Sequence, residues 1–374
     1  MRLETLKSLF KTYKETLLFG RYIHHESVAP ILEKLDKKID ILEVGKSVNG
    51  IPIYTLTFGC GEKKILMWSQ MHGNESTTTK AVFDLLNCVS DENFSAILNT
   101  CTIKIIPILS PDGAKAYTRL NANGVDLNRD AQNLSQPESK VLRSVFDDFK
   151  PHFCFNLHGQ RTIFSAGNTC NPATVSFLAP AQEEERLVTS TRKIAMEVIS
   201  MMNNNLQKQI VNQVGVYDDG FNINCVGDTF QALNVPTILF EAGHYAGDYM
   251  REQTREFIFQ SLLVSLSYIS ENQVNGDYCQ LYFDIPKNRK RFYDIIVKNT
   301  SDLDVAIQYQ EELIDNSLVF VPKVEKISDL RHYCAHNEID ARGSQVFEGG
   351  DLAVVEGSEI DFVVVGNEKF LLKL

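Results

Sequence analysis

Four stretches of this chain are apolar over a strand's length: Ile65-Leu66-Met67-Trp68, Thr102-Ile103-Lys104-Ile105-Ile106-Pro107-Ile108-Leu109, Phe153-Cys154-Phe155-Asn156-Leu157 and Thr237-Ile238-Leu239-Phe240. A strand that is apolar throughout has to be covered on both faces, which half-solvated antiparallel sheets do not do. Each run leads into a long polar loop or a helix-period segment. That alternation predicts a layered α/β fold whose ligands bind beyond the carboxyl ends of the strands. What stands at those four ends therefore matters most.

The remaining segments fit around this frame. Residues 3–18 and 28–38 read as amphipathic helices, and residues 39–45 and 51–58 as two strands. Between them Ser47-Val48-Asn49-Gly50 carries the Asn-Gly hairpin signal. A helix runs from the polar residues after His72 to about Cys88, and another from Pro137 to about Phe149, with Pro and Glu in its first turn. Residues 110–136 form a polar loop too long to be a mere connection. Helices follow at 183–203 and 248–270, with a glycine-bearing loop at 215–228 between them. At 271–277 the composition turns polar, and from Tyr278 short alternating segments dominate. The expected division is a catalytic domain over 1–272 and a small β-rich domain over 276–374.

The strand ends carry metal-ligand chemistry. His72-Gly73-Asn74-Glu75 closes the first run, His158-Gly159 the third, and Glu241 follows the fourth. Two histidines and a glutamate are a ligand set for catalytic Zn²⁺, which takes three protein ligands and leaves a position open. A further carboxylate, Glu241, is available as general base. Each residue also has a bland account: a strand-end histidine, a helix-capping acid, or, for Arg119 and Arg129, partners for a loop rich in Asp and Asn.

Taken in order, these pieces resemble the zinc carboxypeptidase (carboxypeptidase A-like) family. The resemblance rests on Gly45-Lys46-Ser47-Val48-Asn49-Gly50-Ile51-Pro52, on His72-x-x-Glu75, and on Ser110-Pro111-Asp112-Gly113 followed by Arg119 and Asp126-Leu127-Asn128-Arg129. Pro137-Glu138-Ser139, His158 and Glu241 then follow at the family's spacings. The match covers about residues 35–265. It implies a mixed central sheet flanked by helices, and one Zn²⁺ per chain held by His72, Glu75 and His158. It further implies Glu241 as the base, Arg119 as the group that stabilises the oxyanion, and Asn128 with Arg129 as the grip on a substrate carboxylate. The family's mobile tyrosine falls at Tyr217, 24 residues before Glu241.

Three features depart from the family pattern. Gly159 stands where the digestive enzymes have serine, Asp130-Ala131-Gln132 follows the Asn-Arg pair, and His244 is an extra candidate near the metal. The C-terminal β domain is similar to that of the aspartoacylase and succinylglutamate desuccinylase group, which cleaves N-acyl amino acids with the same metal set. The expected substrate is thus a short peptide, cell-wall-derived peptides being one pool, or an acylated amino acid; both carry a free carboxylate. An inactive binding module is a third reading, and the intact ligand, base and arginine set argues against it. Asp218, Asp219 and Asp228 in the 215–228 wall point toward basic side chains.

Composition bounds the partners. The net charge of −11 argues against nucleic acid and anionic membrane surfaces, which want clustered Lys and Arg. Lys287-Asn288-Arg289-Lys290-Arg291 reads as a solvated turn. No run reaches the length of a membrane span. The N-terminus has no uninterrupted apolar stretch of the signal-peptide kind. Eight scattered cysteines without a C-x-x-C pair read as free thiols in a reducing compartment, hence a cytoplasmic protein. His332-x-Cys334-x-His336 has ligand-like spacing but reads as a solvated loop.

Overall fold

The computed structural model describes residues 1–349 and 352–374. They divide into two units, residues 1–160 with 173–288, and residues 161–172 with 289–374. The second unit thus begins later than the composition change at 276 and takes in a short internal segment that carries no β-domain signal of its own.

The first unit opens with α1 (Leu3–Tyr13) and α2 (His25–Leu32). Both are shorter than their periodicity suggests: Lys14 leaves helical dihedrals, and α2 runs only two residues past Pro30. β1 (Asp40–Lys46) and β2 (Pro52–Phe58) pair antiparallel as the Asn-Gly signal requires. Gly50 takes φ +81° in the turn, a region closed to most side chains. Then come β3 (Lys63–Ser69), α3 (Thr77–Asn87), α4 (Ser95–Thr100), β4 (Cys101–Ile106), α5 (Pro111–Ala116), α6 (Pro137–Phe149) and β5 (Phe153–Gly159). After β6 (Phe164–Ala166), which lies in the second unit, the chain continues through β7 (Val175–Leu178), α7 (Ser190–Leu206), β8 (Val214–Val216), α8 (Val226–Ala232), β9 (Thr237–Ala242) and α9 (Glu252–Glu271).

The structure differs from several of these expectations. The polar loop at 110–136 contains α5 and a single 3₁₀ turn, Leu127–Arg129. The helix expected from 183 starts at Ser190, where the Thr189 hydroxyl accepts from the Arg192 amide. The one expected from 248 starts at Glu252, because the Asp248 carboxylate accepts from the amides of residues 252, 253 and 254. β7 and β8 were not foreseen.

The strands form one mixed sheet in the order β1-β2-β4-β3-β5-β9-β7-β8. β4, β3, β5 and β9 are mutually parallel, so their carboxyl ends fall at one edge. Alternation along β3 explains its central place. Ile65 and Met67 enter one apolar layer with α3 and α9 residues, while Leu66 and Trp68 enter another with Leu142, Phe146 and Phe230.

The second unit is β-rich. β6 pairs with β10 (Asn288–Lys290), so most of the basic run is a strand and not a turn. β11 (Phe292–Lys298), β12 (Asp304–Ile314), β13 (Ser317–Ser328) and β14 (Cys334–Asp340) make a sheet in the order β13-β12-β11-β14. β15 (Val346–Gly349), β16 (Leu352–Ala353), β17 (Phe362–Val365) and β18 (Glu368–Leu371) make another. Ile295, Val297, Ile307, Val324 and Val363 pack between them. The free-thiol expectation fails for two cysteines: Cys170 and Cys334 form a disulfide that ties 161–172 to β14. The redox argument for a reducing compartment loses that support. His332-x-Cys334-x-His336 is no ligand cluster and largely no loop, since Cys334 is bonded and His336 stacks on Phe292 at 4.5 Å.

Candidate metal centre

The parallel strands deliver the site. His72 and Glu75 lie in the turn after β3, His158 is near the end of β5, and Glu241 is its direct neighbour on β9. One ligand atom each from His72, Glu75 and His158 lies within 4.8 Å of the other two. His72 Nδ1 and His158 Nδ1 face each other at 3.1 Å, and Glu75 places one oxygen 2.9 Å from the first and the other 2.8 Å from the second. The Gly159 amide donates to Glu75 at 3.0 Å, fixing the carboxylate. Two ring nitrogens converging on one carboxylate fit a cation of zinc type, and the donor set is that of a catalytic zinc site.

Charge distinguishes the two imidazoles. Burial opposes protonation of both. Beside His72 the carboxylates of Glu75 and Asp126 overcome burial and raise its pKa, whereas His158, with Glu75 alone, stays below the ordinary value. Burial works against ionisation of Glu75 as well, yet the two imidazoles hold its carboxyl well below the usual range.

Asp126 is the residue whose role the sequence did not disclose. Its Oδ1 lies 3.1 Å from His72 Nε2, while Oδ2 accepts from Arg119 at 2.9 and 3.1 Å. A carboxylate behind a ligating imidazole sets its tautomer and orientation. The only signal was an acid two residues before Asn128, and its partner lies 54 residues away.

Arg119 also reaches toward the ligands, 3.2 Å from His72 Nδ1 and 3.5 Å from Glu75. Asn128 and Arg129 are stitched to the facing wall: Asn128 Oδ1 accepts from the Val226 amide at 3.0 Å, and Arg129 donates to Cys225 Sγ at 3.1 Å. Tyr217 directly follows β8, its amide donating to Phe177 O. Burial, then the charges of Glu241 and Glu75, push its phenol well above the ordinary value, which places it in their field. Glu241 Oε2 is shut off from solvent and has no hydrogen-bond partner among the described residues. Burial and the Glu75 charge raise its pKa well above the ordinary carboxylate value. His244 packs on Tyr249 and lies outside the ligand group.

The wall acids differ from one another. Asp219 is committed to buried Arg192 at 2.5 Å, and exposed Asp218 accepts from the Gly220 amide. Asp228 is buried and accepts from the Asn222 amide; burial holds its carboxyl up at about 6.

The family model described as zinc carboxypeptidase matches residues 31–229. Carboxypeptidase SOL1 of Arabidopsis thaliana is 30% identical over 32% of this chain and 28% of its own length. Carboxypeptidase E of Caenorhabditis elegans is 27% identical over 37% of each. The match thus spans well under half of either relative. Among solved structures, a metallo-carboxypeptidase from Burkholderia cenocepacia superposes at TM-score 0.51, with 18% identity, over 65% of this chain and 69% of that one. Bovine thrombin-activatable fibrinolysis inhibitor superposes at 0.53, with 13% identity, over 68% of this chain and 99% of that one. At such identity these two establish the fold alone.

Proposed function

The chain belongs to the zinc carboxypeptidase family, and from that premise we propose that it removes the C-terminal residue of a short peptide, using one zinc ion per chain. The observation that carries this reading is Glu241: a carboxylate with a partnerless buried oxygen, directly across the β5–β9 register from His158.

His72, Glu75 and His158 would hold the ion. When bound, zinc supplies Lewis acidity, polarising an amide carbonyl and acidifying water to a pKa of about 7. Glu241 takes a proton from the attacking water and returns it to the leaving amine, a task suited to a carboxyl of raised basicity. The Arg119 guanidinium stabilises the oxyanion that develops on the carbonyl. Arg129 binds the substrate's terminal carboxylate in the bidentate manner its planar fork allows, with Asn128 beside it. Tyr217 closes over the bound residue. Of the wall acids, Asp228 favours a basic terminal side chain, since Asp219 is neutralised by Arg192.

The test is product analysis by mass spectrometry with zinc-loaded protein. Substrates are free-acid peptides, their C-terminal amides and N-acyl amino acids. Loss of one terminal residue from free acids only, fastest for Lys or Arg, is the expected result. Cleavage of the terminal amides would make the protein a peptide amidase. Turnover confined to N-acyl amino acids would move the activity to deacylation and defeat the peptidase reading.

A further inference from the structure

The turn that carries His72 and Glu75 is held from beneath by one side chain. Gln70 is fully buried and takes φ 45°, a left-handed conformation uncommon for a residue with a side chain. Its amide is fully engaged. Nε2 donates to Gly73 O at 2.8 Å, inside the ligand turn, and to Ile23 O at 2.9 Å, and Oε1 accepts from Thr79 Oγ1 at 2.8 Å. Its backbone carbonyl accepts from the Ser110 amide.

Ile23 belongs to a segment, residues 14–24, that crosses the first unit ahead of the family match, which begins at 31. That segment is anchored along its length. Arg255 donates to Glu15 O and Leu18 O, the Glu15 amide donates to Asp84, and Leu18 and Ile23 are buried. It meets the ligand turn a second time at Ser76, directly after Glu75, whose hydroxyl donates to Arg21 O at 2.5 Å. Gly73 is also pressed against α5, so closely that a Cβ there would fall 1.9 Å from the Gly113 carbonyl carbon. The turn is therefore held both by α5 and by an N-terminal belt, which are themselves joined where the Tyr22 hydroxyl donates to Lys115 O.

We propose that Gln70 is a positioning residue for the metal ligands: with Ser76 it fastens the ligand turn to the N-terminal belt and fixes where the His72 and Glu75 side chains point. The proposal rests on the reading that His72, Glu75 and His158 hold zinc. The physical case is the general one for ligand support. A ligand whose backbone is free to move loses affinity for the ion, and outer partners of ligating groups are worth about 10–100-fold in metal affinity.

The test measures zinc affinity by competition with a chromophoric chelator, and the visible spectrum of the cobalt(II)-loaded protein, independent of turnover. Gln70→Met keeps the volume and removes both donors; Ser76→Ala removes only the second tie and is the milder change. Met202→Ala, at a fully buried position on α7, is the control for lost stability. The expected result is a zinc Kd raised about 10–100-fold in Gln70→Met, a smaller rise in Ser76→Ala, and altered cobalt bands in both. Met202→Ala should melt earlier yet bind zinc as the unaltered protein does. Unchanged Kd and spectrum in Gln70→Met and Ser76→Ala would overturn the proposal, as would an equal loss of affinity in Met202→Ala. Failure of the unaltered protein to bind zinc at all would instead remove the reading on which it stands.

Discussion

At the scale of single residues, the two imidazoles are made different by Asp126. Asp126→Asn keeps the shape but removes the charge behind His72 and the partner of Arg119. Zinc affinity should fall about 10–100-fold, measurable by chelator competition, with the fold intact by circular dichroism. Asp228 makes a pH prediction. Its folded pKa of about 6 exceeds the value of about 3.9 expected for an unfolded Asp. The folded state keeps a proton that the unfolded chain releases, so stability falls as pH rises through that window. Asp228→Asn should abolish this fall and be more stable at pH 7 by about 3 kcal/mol, read from urea melts at pH 4 and 7. The clustering of His72, Glu75 and His158 beside Glu241 was legible because each stands at a strand end or in the turn that follows one. Asp126 and Gln70 were not, because their partners become neighbours only after folding.

At the scale of elements, α3 and α9 are joined by Asp84 and Arg255, both fully buried, at 2.6 and 2.7 Å. Removing one member of such a pair strands the other charge in the core. Arg255→Leu should therefore cost about 3–5 kcal/mol in a urea melt, and it also releases the carbonyls of Glu15 and Leu18. The central strands, the hairpin and α6 could be read from the chain because period and capping agree there. β7 and β8 could not: at four and three residues they offer no periodicity, and they are strands only because β9 gives β7 a partner and β7 gives β8 one. The helix starts at Ser190 and Glu252 were misplaced for a related reason. Thr189 sits downstream of Glu183-Glu184-Glu185, acidic residues that themselves favour helix, and Asp248 caps the amides of 252–254 from four residues ahead of the helix it was expected to begin.

At the scale of the whole molecule, the chain leaves the first unit after Gln160, enters the second, and returns at Ala173. No composition shift marks so short an excursion, and its disulfide joins cysteines 164 residues apart. Cys170→Ser should destabilise the second unit by about 2–4 kcal/mol, seen in calorimetry as a lowered melting transition that a thiol reductant reproduces in the unaltered protein. The first unit's transition should be unchanged. In the proposed function Glu241 acts as the base beside a metal held by His72, Glu75 and His158. The direct measurement is single-turnover cleavage of a free-acid peptide by Glu241→Gln, with zinc content determined on the same sample. The expected result is one zinc per chain with the rate reduced about 10²–10⁴-fold. An undiminished rate in the zinc-loaded variant would contradict it.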